Sequence, residues 1–211
     1  MLYPLFVNLQ GKKCVVIGAG SVAEKRVEAL HRSNAVIRLV APQATPALIQ
    51  MASVGAISWM RSLYHPAHLE GAFLVIAATD LREINQIVAR DAGERNILVS
   101  CADDPSMGNY VTGASIDRGG LQVSLTTSGA SPTLTSVLRA RLDKQFGEEW
   151  SNWVSLFAAL RSDIQRLPAE HLRKSVVQEI LSDKIVTESV LCGDIISAEG
   201  EAKKCILSHL D

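Results

Sequence analysis

The sequence predicts an α/β fold in its first half, with a parallel β-sheet covered by helices on both faces. Apolar, β-branched runs typical of buried strands recur at residues 13–17, 36–41, 73–78 and 97–101. Segments with helical spacing lie between these runs, at residues 22–32, 45–54 and 84–94, and residues 57–60 allow a further short strand. This alternation favours a parallel sheet, because each parallel connection must cross back over one face.

Composition and charge narrow the class of protein. Hydrophobic residues make up 47% of the 211 residues and charged residues 20%, which predicts a packed core and argues against disorder. The net charge is -1 and no run of Lys or Arg is present, so neither nucleic acid nor an anionic membrane is expected as a main partner. The first residues lack the charge pattern of a signal peptide, and no segment approaches the ~20 apolar residues that span a bilayer. We therefore expect a cytoplasmic protein.

The cysteines and histidines do not predict a metal site. The four cysteines form no Cys-x-x-Cys pair, and Cys14 and Cys101 lie inside apolar runs, which favours buried thiols. His65 and His68 form the one close histidine pair, and no second ligand pair follows them. An exposed loop is the simpler interpretation of that pair.

A glycine-rich turn connects the first predicted strand to the first predicted helix. Gly18, Gly20 and Ala23 fit the pattern Gly-x-Gly-x-x-Ala, in which the first glycine permits the turn and the second lets the backbone approach a diphosphate. The alanine allows close packing of helix on strand, and the helix N-terminus offers free N–H groups to the phosphates. The sequence therefore predicts a Rossmann-type dinucleotide-binding domain, although a plain glycine turn before a surface helix would show the same residues.

Polar residues follow two later strands. Thr79 and Asp80 end the run at 73–78, at the sheet edge where ligands of open parallel sheets bind. Asp103 and Asp104 follow the run at 97–101, where a carboxylate could accept a proton as a hydride leaves a substrate. A local Asp-Pro turn before Pro105 explains the same pattern equally well.

The pattern changes after about residue 110. Residues 110–116 and 121–126 resemble two strands joined by a turn, and Ser131-Pro132 is a typical helix start. The preceding hydroxyl-rich segment could hold carboxylates, or it could serve only as an N-cap. From residue 148 the chain is helical, and the spacing of Trp150 and Trp153 favours a buried helix face over stacking on a ligand. Residues 197–204 are polar, and we expect a loosely packed tail.

Taken together, these segments resemble the precorrin-2 dehydrogenase family, which includes the N-terminal part of bacterial siroheme synthase and the fungal bifunctional dehydrogenase–ferrochelatase. The resemblance runs from residue 3 to about residue 145, and beyond 150 only the helical character agrees. The matching motifs, in the same order and spacing, are residues 3–9, 14–26, 77–80, 103–105 and 127–132.

The resemblance implies an oxidoreductase of siroheme biosynthesis that uses NAD to convert precorrin-2 to sirohydrochlorin. In bifunctional members the same site also inserts ferrous iron, a ferrochelatase (lyase) reaction. Asp103 matches the catalytic aspartate of the family. Cofactor-binding residues expected from the motifs and from the resemblance are Gly18, Gly20, Ser21, Val22, Pro42, Gln43, Thr79 and Asp80. Residues expected to bind the tetrapyrrole carboxylates are Thr127, Ser128 and Ser131.

The changes of pattern along the chain, together with the resemblance, divide it into three parts. These are an NAD-binding Rossmann domain (1–112), a small α+β dimerisation segment of a strand pair and a helix (113–147), and a C-terminal helical domain (148–211). In the family the middle segment joins two subunits, so we expect a homodimer. A lone hairpin also cannot bury its own apolar surface.

The sequence departs from the family pattern at two places and from the general dinucleotide fingerprint at a third. Ala19 replaces the middle of three glycines, at a position that the dinucleotide fingerprint leaves free. Thr127 replaces a serine that is phosphorylated in some members. No Asp or Glu follows the second strand at Pro42-Gln43, and no adjacent Arg favours a 2′-phosphate, so the residues alone give only a mild preference for NAD over NADP.

Two other functions fit parts of the sequence. A regulatory module that senses NAD without catalysis would need the glycine turn alone, although no basic recognition helix or obvious effector domain accompanies it here. A dehydrogenase of small hydroxy acids would need a His or Lys near the nicotinamide. The sequence does not place such a residue.

Overall fold

The computed structural model describes residues 2–209. Position 1 of the predicted NAD-binding domain and positions 210 and 211 of the predicted C-terminal helical domain lie outside the described residues. The chain forms two compact units, residues 1–112 and 113–211.

The first unit contains a five-stranded parallel sheet with the strand order β3-β2-β1-β4-β5. Its strands are β1 (Lys13–Ile17), β2 (Val36–Val40), β3 (Ser58–Met60), β4 (Leu74–Ala77) and β5 (Leu98–Cys101). Its helices are α1 (Ser21–Arg32), α2 (Pro46–Ser53) and α3 (Arg82–Gly93), with 3₁₀ turns at Pro66–Leu69 and Pro105–Met107. The predicted parallel sheet is confirmed.

Both faces of this sheet are buried, and the alternation of β1 shows how. Cys14 and Val16 belong to the cluster that α1 and α2 cover, whereas Val15 and Ile17 belong to the cluster that α3 covers. Because successive residues of a strand point to opposite faces, a continuous apolar strand requires helices on both sides. The buried positions predicted for Cys14 and Cys101 are also confirmed.

The strand order creates a crevice at one edge of the sheet. Ile17 is in register with Val40 of β2 on one side and with Ala77 of β4 on the other. The connections after β1 and β4 therefore run to opposite sides of the sheet. Ligands of doubly wound sheets bind at this kind of switch point, outside the carboxyl ends of the strands.

Within residues 113–209, the second unit combines a hairpin with five helices. The hairpin consists of β6 (Ala114–Arg118) and β7 (Leu121–Leu125), and it is followed by α4 (Pro132–Gln145), α5 (Trp150–Arg166), α6 (Glu170–Ser182), α7 (Lys184–Cys192) and α8 (Ile195–Leu207). Trp153, Leu156 and Leu160 of α5 lie in one buried cluster with residues of α6, α7 and α8. The interpretation of the tryptophan stripe as core is therefore correct for Trp153.

Two expectations about local structure are wrong. Residues 197–204 are not a loosely packed tail but the middle of α8, where Ala198 and Ala202 are fully buried. Small alanines four residues apart form a narrow buried face that average polarity hides. The strand expected from residue 110 begins only at Ala114, because Tyr110 packs against the core of the first unit.

Candidate functional site

Gly18 brings the connection after β1 against the connection after β4. Its φ of +101° lies in the region that favours glycine, and a Cβ there would lie 2.2 Å from the carbonyl oxygen of Ala78. The Gly18 N–H donates to the Val40 carbonyl (2.9 Å), and the Ala78 N–H donates to the Ile17 carbonyl (2.8 Å). The turn therefore requires glycine for reasons internal to the protein.

Gly20 is the N-cap of α1, and the protein itself does not require a glycine there. Its φ of -82° suits any residue, and an added Cβ would meet no atom within 4 Å. No side chain in the described part of the chain caps the helix, and Gly20, Ser21 and Val22 are exposed. The free N–H groups and the helix dipole favour an anion at this helix N-terminus. Because Gly20 has no side chain, there is also space for a diphosphate.

The connection after β2 is tied to this turn. The Thr45 N–H donates to the Ala19 carbonyl (3.2 Å), and the Thr45 hydroxyl donates to Glu24 Oε2 (2.5 Å). These bonds bring the start of α2 against the glycine turn and leave Pro42 and Gln43 exposed beyond the end of β2. Both predicted cofactor-binding residues therefore lie at the carboxyl edge of the sheet.

Asn85 is a site residue that our sequence reasoning missed. It is fully buried in α3, and its Oδ1 accepts hydrogen bonds from the backbone N–H (3.1 Å) and hydroxyl (2.8 Å) of Thr79. Its Nδ2 donates to the Thr79 carbonyl (3.0 Å) and to Asp103 Oδ1 (2.9 Å). The signal was an amide among the apolar positions of the helix, three residues before Val88. Asn85 joins the connection after β4 to that after β5, while Asp80 remains exposed.

The two neighbouring carboxylates differ in their surroundings. Asp104 caps the 3₁₀ turn by accepting from the Ser106 N–H (3.0 Å) and hydroxyl (2.5 Å), and it pairs with Arg82 (2.8 Å). The hydrogen bonds from Ser106 hold the pKa of Asp104 below its usual value. Asp103 accepts its hydrogen bond from Asn85 and is exposed to solvent. The Asp-Pro turn therefore accounts for Asp104, whereas Asp103 keeps an exposed carboxylate.

Burial or local hydrogen bonds account for Cys101, His65 and His68 in the first unit. Burial raises the pKa of Cys101 to about 11, so its thiol is neutral near pH 7. The rings of His65 and His68 accept from the backbone N–H groups of Ala67 (3.2 Å) and His65 (3.0 Å) and so cap the local turn. Within residues 2–209, no group of three or more His, Cys, Asp or Glu side chains could hold a metal ion.

The hydroxyl segment belongs to the second unit, where two of its hydroxyls stabilise the start of α4. Thr127 Oγ1 accepts from the Ser131 N–H (3.1 Å) and lies 3.0 Å from Thr135 Oγ1, and Ser131 Oγ accepts from the Leu134 N–H (3.1 Å). Ser128 has a φ of +53° and is exposed. Of the three predicted substrate-binding hydroxyls, the one on Ser128 is fully available to a ligand.

Comparison with known proteins agrees with this geometry. The family described as putative NAD(P)-binding matches residues 5–114, more than half of the chain. The chain belongs to this family. A second family, described as the central part of a sirohaem biosynthesis protein, matches residues 118–145. The site therefore belongs to a nicotinamide dinucleotide-binding protein.

Curated relatives are siroheme synthases. Those of Methylobacillus flagellatus and Chromobacterium violaceum are 30% and 32% identical over 190 and 205 residues, which cover 90% and 97% of this chain. The chain spans only 41% and 43% of their lengths. These matches confirm the resemblance drawn from the sequence motifs.

A solved structure shows the same fold. SirC, a precorrin-2 dehydrogenase, superposes with a TM-score of 0.74 at 23% identity, covering 98% of this chain and 100% of its own. None of the helices described for residues 2–209 is both long enough and apolar enough to span a bilayer.

Substituting the two glycines of the turn should affect different properties: Gly18 is needed for folding, and Gly20 for NAD binding. We expect Gly20→Ala to change the free energy of unfolding by less than about 1 kcal/mol, since the added methyl group meets open space. It should weaken NAD binding at least about tenfold, because the methyl group occupies space needed by a diphosphate. Gly18→Ala is the matched control and should destabilise the protein by more than about 2 kcal/mol. Calorimetry and thermal unfolding measure both effects, and unchanged NAD affinity in Gly20→Ala would contradict this assignment.

The buried amide of Asn85 gives a second prediction. Asn85→Ala removes four hydrogen bonds and leaves the Thr79 N–H without its partner, which should lower the free energy of unfolding by about 2–4 kcal/mol. Gln86→Ala, at the adjacent exposed position of α3, should change it by less than about 0.5 kcal/mol. Urea unfolding followed by circular dichroism compares the two variants. Equal effects would show that the amide does not stabilise the site.

Proposed function

We propose that this chain catalyses the NAD-dependent oxidation of precorrin-2 to sirohydrochlorin in siroheme biosynthesis. One observation carries the proposal: an uncapped helix N-terminus after the Gly18 turn shares the sheet edge with the exposed carboxylate of Asp103, held by Asn85. The siroheme synthase relatives and the fold shared with a precorrin-2 dehydrogenase support the choice of substrate.

The residues at the sheet edge suit this reaction. Oxidation of precorrin-2 removes a hydride and a proton, and bound NAD⁺ supplies the hydride acceptor. The α1 N-terminus at Gly20, Ser21 and Val22 binds the diphosphate, while Pro42 and Gln43 line the adenosine ribose. Asp103 accepts the proton, and the Asn85 Nδ2–H group orients the Asp103 carboxylate by donating to its Oδ1.

The remaining predicted residues complete the proposal. Thr79 and Asp80 contact the dinucleotide at the end of β4. Ser128 and the first turn of α4, held in place by Thr127 and Ser131, bind carboxylates of the tetrapyrrole. The free cysteines of residues 2–209 fit a reducing compartment, and we place the reaction in the cytoplasm.

Substituting the two neighbouring aspartates tests the proposal. Asp103→Asn should lower the rate of NADH formation from precorrin-2 by at least about 100-fold, because the amide cannot accept the proton. Asp104→Asn should keep more than about half of the rate, since asparagine also caps the turn. Absorbance of NADH and calorimetric NAD affinity are measured on both variants. Equal rates would remove Asp103 from the mechanism, and NAD binding by the unsubstituted protein without turnover would favour the regulatory alternative.

Ferrous iron insertion into sirohydrochlorin is the second reaction that we propose for this site, with iron as a substrate. The exposed carboxylate of Asp103 suits it, because metal entry displaces protons from pyrrole nitrogens. The same two variants, mixed with sirohydrochlorin and ferrous iron, report this reaction through the absorbance of the tetrapyrrole. A rate no higher than that of the free reactants would limit the protein to dehydrogenation.

We also propose that segment 113–147 joins two copies of the chain in a homodimer. The apolar side chains of Leu134 and Val137 on α4 are about half exposed, and α4 has no buried residue. Val137→Asp should shift a dimer to monomers in sedimentation velocity by placing a charge in the interface. Ser136→Asp, with the same charge one residue away, should leave the dimer intact. A monomeric unsubstituted protein would contradict the proposal.

A further inference from the structure

The strand order brings an arginine that is distant in sequence to the end of β2. Val40 is in register with Met60 of β3, and the Ala41 N–H donates to the Met60 carbonyl (3.2 Å). Arg61 is the residue after β3, so its backbone leaves the sheet beside that of Ala41 and one position from Pro42. This is the carboxyl edge that also carries the glycine turn.

The Arg61 side chain is held in place there. The indole N–H of Trp59 donates to the Ala41 carbonyl (3.0 Å), which fixes the ring across the ends of β2 and β3. The Arg61 guanidinium carbon lies 4.3 Å from the centre of that ring, within the range of a cation–π contact. Arg61 is exposed and makes no ion pair with any of residues 2–209, so its N–H groups can bind a ligand.

The end of β2 determines which dinucleotide such a fold accepts. A carboxylate there binds the ribose hydroxyls of NAD and repels a 2′-phosphate, whereas a nearby arginine accommodates the phosphate of NADP. Pro42 and Gln43 supply no carboxylate, and Arg61 supplies a planar donor group suited to phosphate.

We propose that Arg61, stacked on Trp59, binds the 2′-phosphate of NADP, so that the site accepts both NADP and NAD. The inference rests on the dinucleotide site of the proposed function and adds a determinant of its specificity. Sequence reasoning found no arginine adjacent to β2, because Arg61 reaches β2 only through the pairing of β2 with β3.

Calorimetric titration with NAD and with NADP tests the proposal. In the unsubstituted protein, the Kd for NADP should lie within about tenfold of the Kd for NAD. Arg61→Glu should raise the ratio of the NADP Kd to the NAD Kd at least about tenfold, since it replaces a cation with an anion beside the phosphate. Arg32→Glu makes the same charge change at the C-terminal end of α1 and should leave the ratio unchanged.

A second substitution tests the stacked arrangement. Trp59→Phe keeps an aromatic ring but removes the hydrogen bond to Ala41, and it should raise the same ratio about threefold. Circular dichroism confirms that each variant folds. An unchanged ratio in Arg61→Glu, or a wild-type protein that does not bind NADP, would overturn the inference.

The outcome is separable from that of the proposed function. Binding of both dinucleotides with an Arg61-dependent ratio, but without oxidation of precorrin-2, would support the specificity determinant and reject the proposed reaction. Oxidation of precorrin-2 with NAD, without an effect of Arg61→Glu on the ratio of the two Kd values, would support the proposed reaction and reject the specificity determinant.

Discussion

The close approach of Gly18 to the Ala78 carbonyl is the constraint on which the candidate site depends. Because Gly18 has no Cβ, the connections after β1 and β4 can lie directly against each other. This contact sets where α1 begins and hence where its free N–H groups point. It also sets the position of Thr79, whose backbone is held by the buried amide of Asn85. Dinucleotide recognition and the placement of Asp103 thus share one backbone contact.

The cost of burying polar groups explains why the buried amide beside this contact is fully hydrogen-bonded. A buried amide without partners would destabilise the fold by about 1–3 kcal/mol per unmet group, so Asn85 is tolerated only because both of its polar atoms are bonded. Asp104 is fixed by Ser106 and Arg82 and has a structural role. Asp103 accepts a hydrogen bond from Asn85 at one carboxylate oxygen, and its side chain is exposed. These adjacent residues of the same type therefore differ in their partners: both carboxylate oxygens of Asp104 are bonded, whereas one oxygen of Asp103 is.

The sequence predicts the strands, helices and turns better than it predicts the contacts between residues that are distant in the chain. Apolar, β-branched runs identified the parallel strands, and the glycine pattern placed the turn after β1, because both signals are local in the chain. Asn85 and Arg61 were missed because their roles arise from pairing: Asn85 reaches Asp103 across two connections, and Arg61 reaches Ala41 only through β3. The buried face of α8 was missed because two alanines carry it among polar residues. The roles of Thr127 and Ser128 stay predictions, since only their local bonds are known.

The order of the strands separates the proposed specificity determinant from the proposed proton acceptor at the sheet edge. β1 lies between β2 and β4, so Arg61 and Trp59 belong to one side of the glycine turn, and Asn85 and Asp103 belong to the other. No hydrogen bond described for Trp59 or Arg61 involves the residues that hold Asp103. A change at the end of β3 can therefore alter which dinucleotide binds while the carboxylate keeps its partner. The proposed determinant of cofactor choice and the proposed proton acceptor therefore lie on different residues of the same edge.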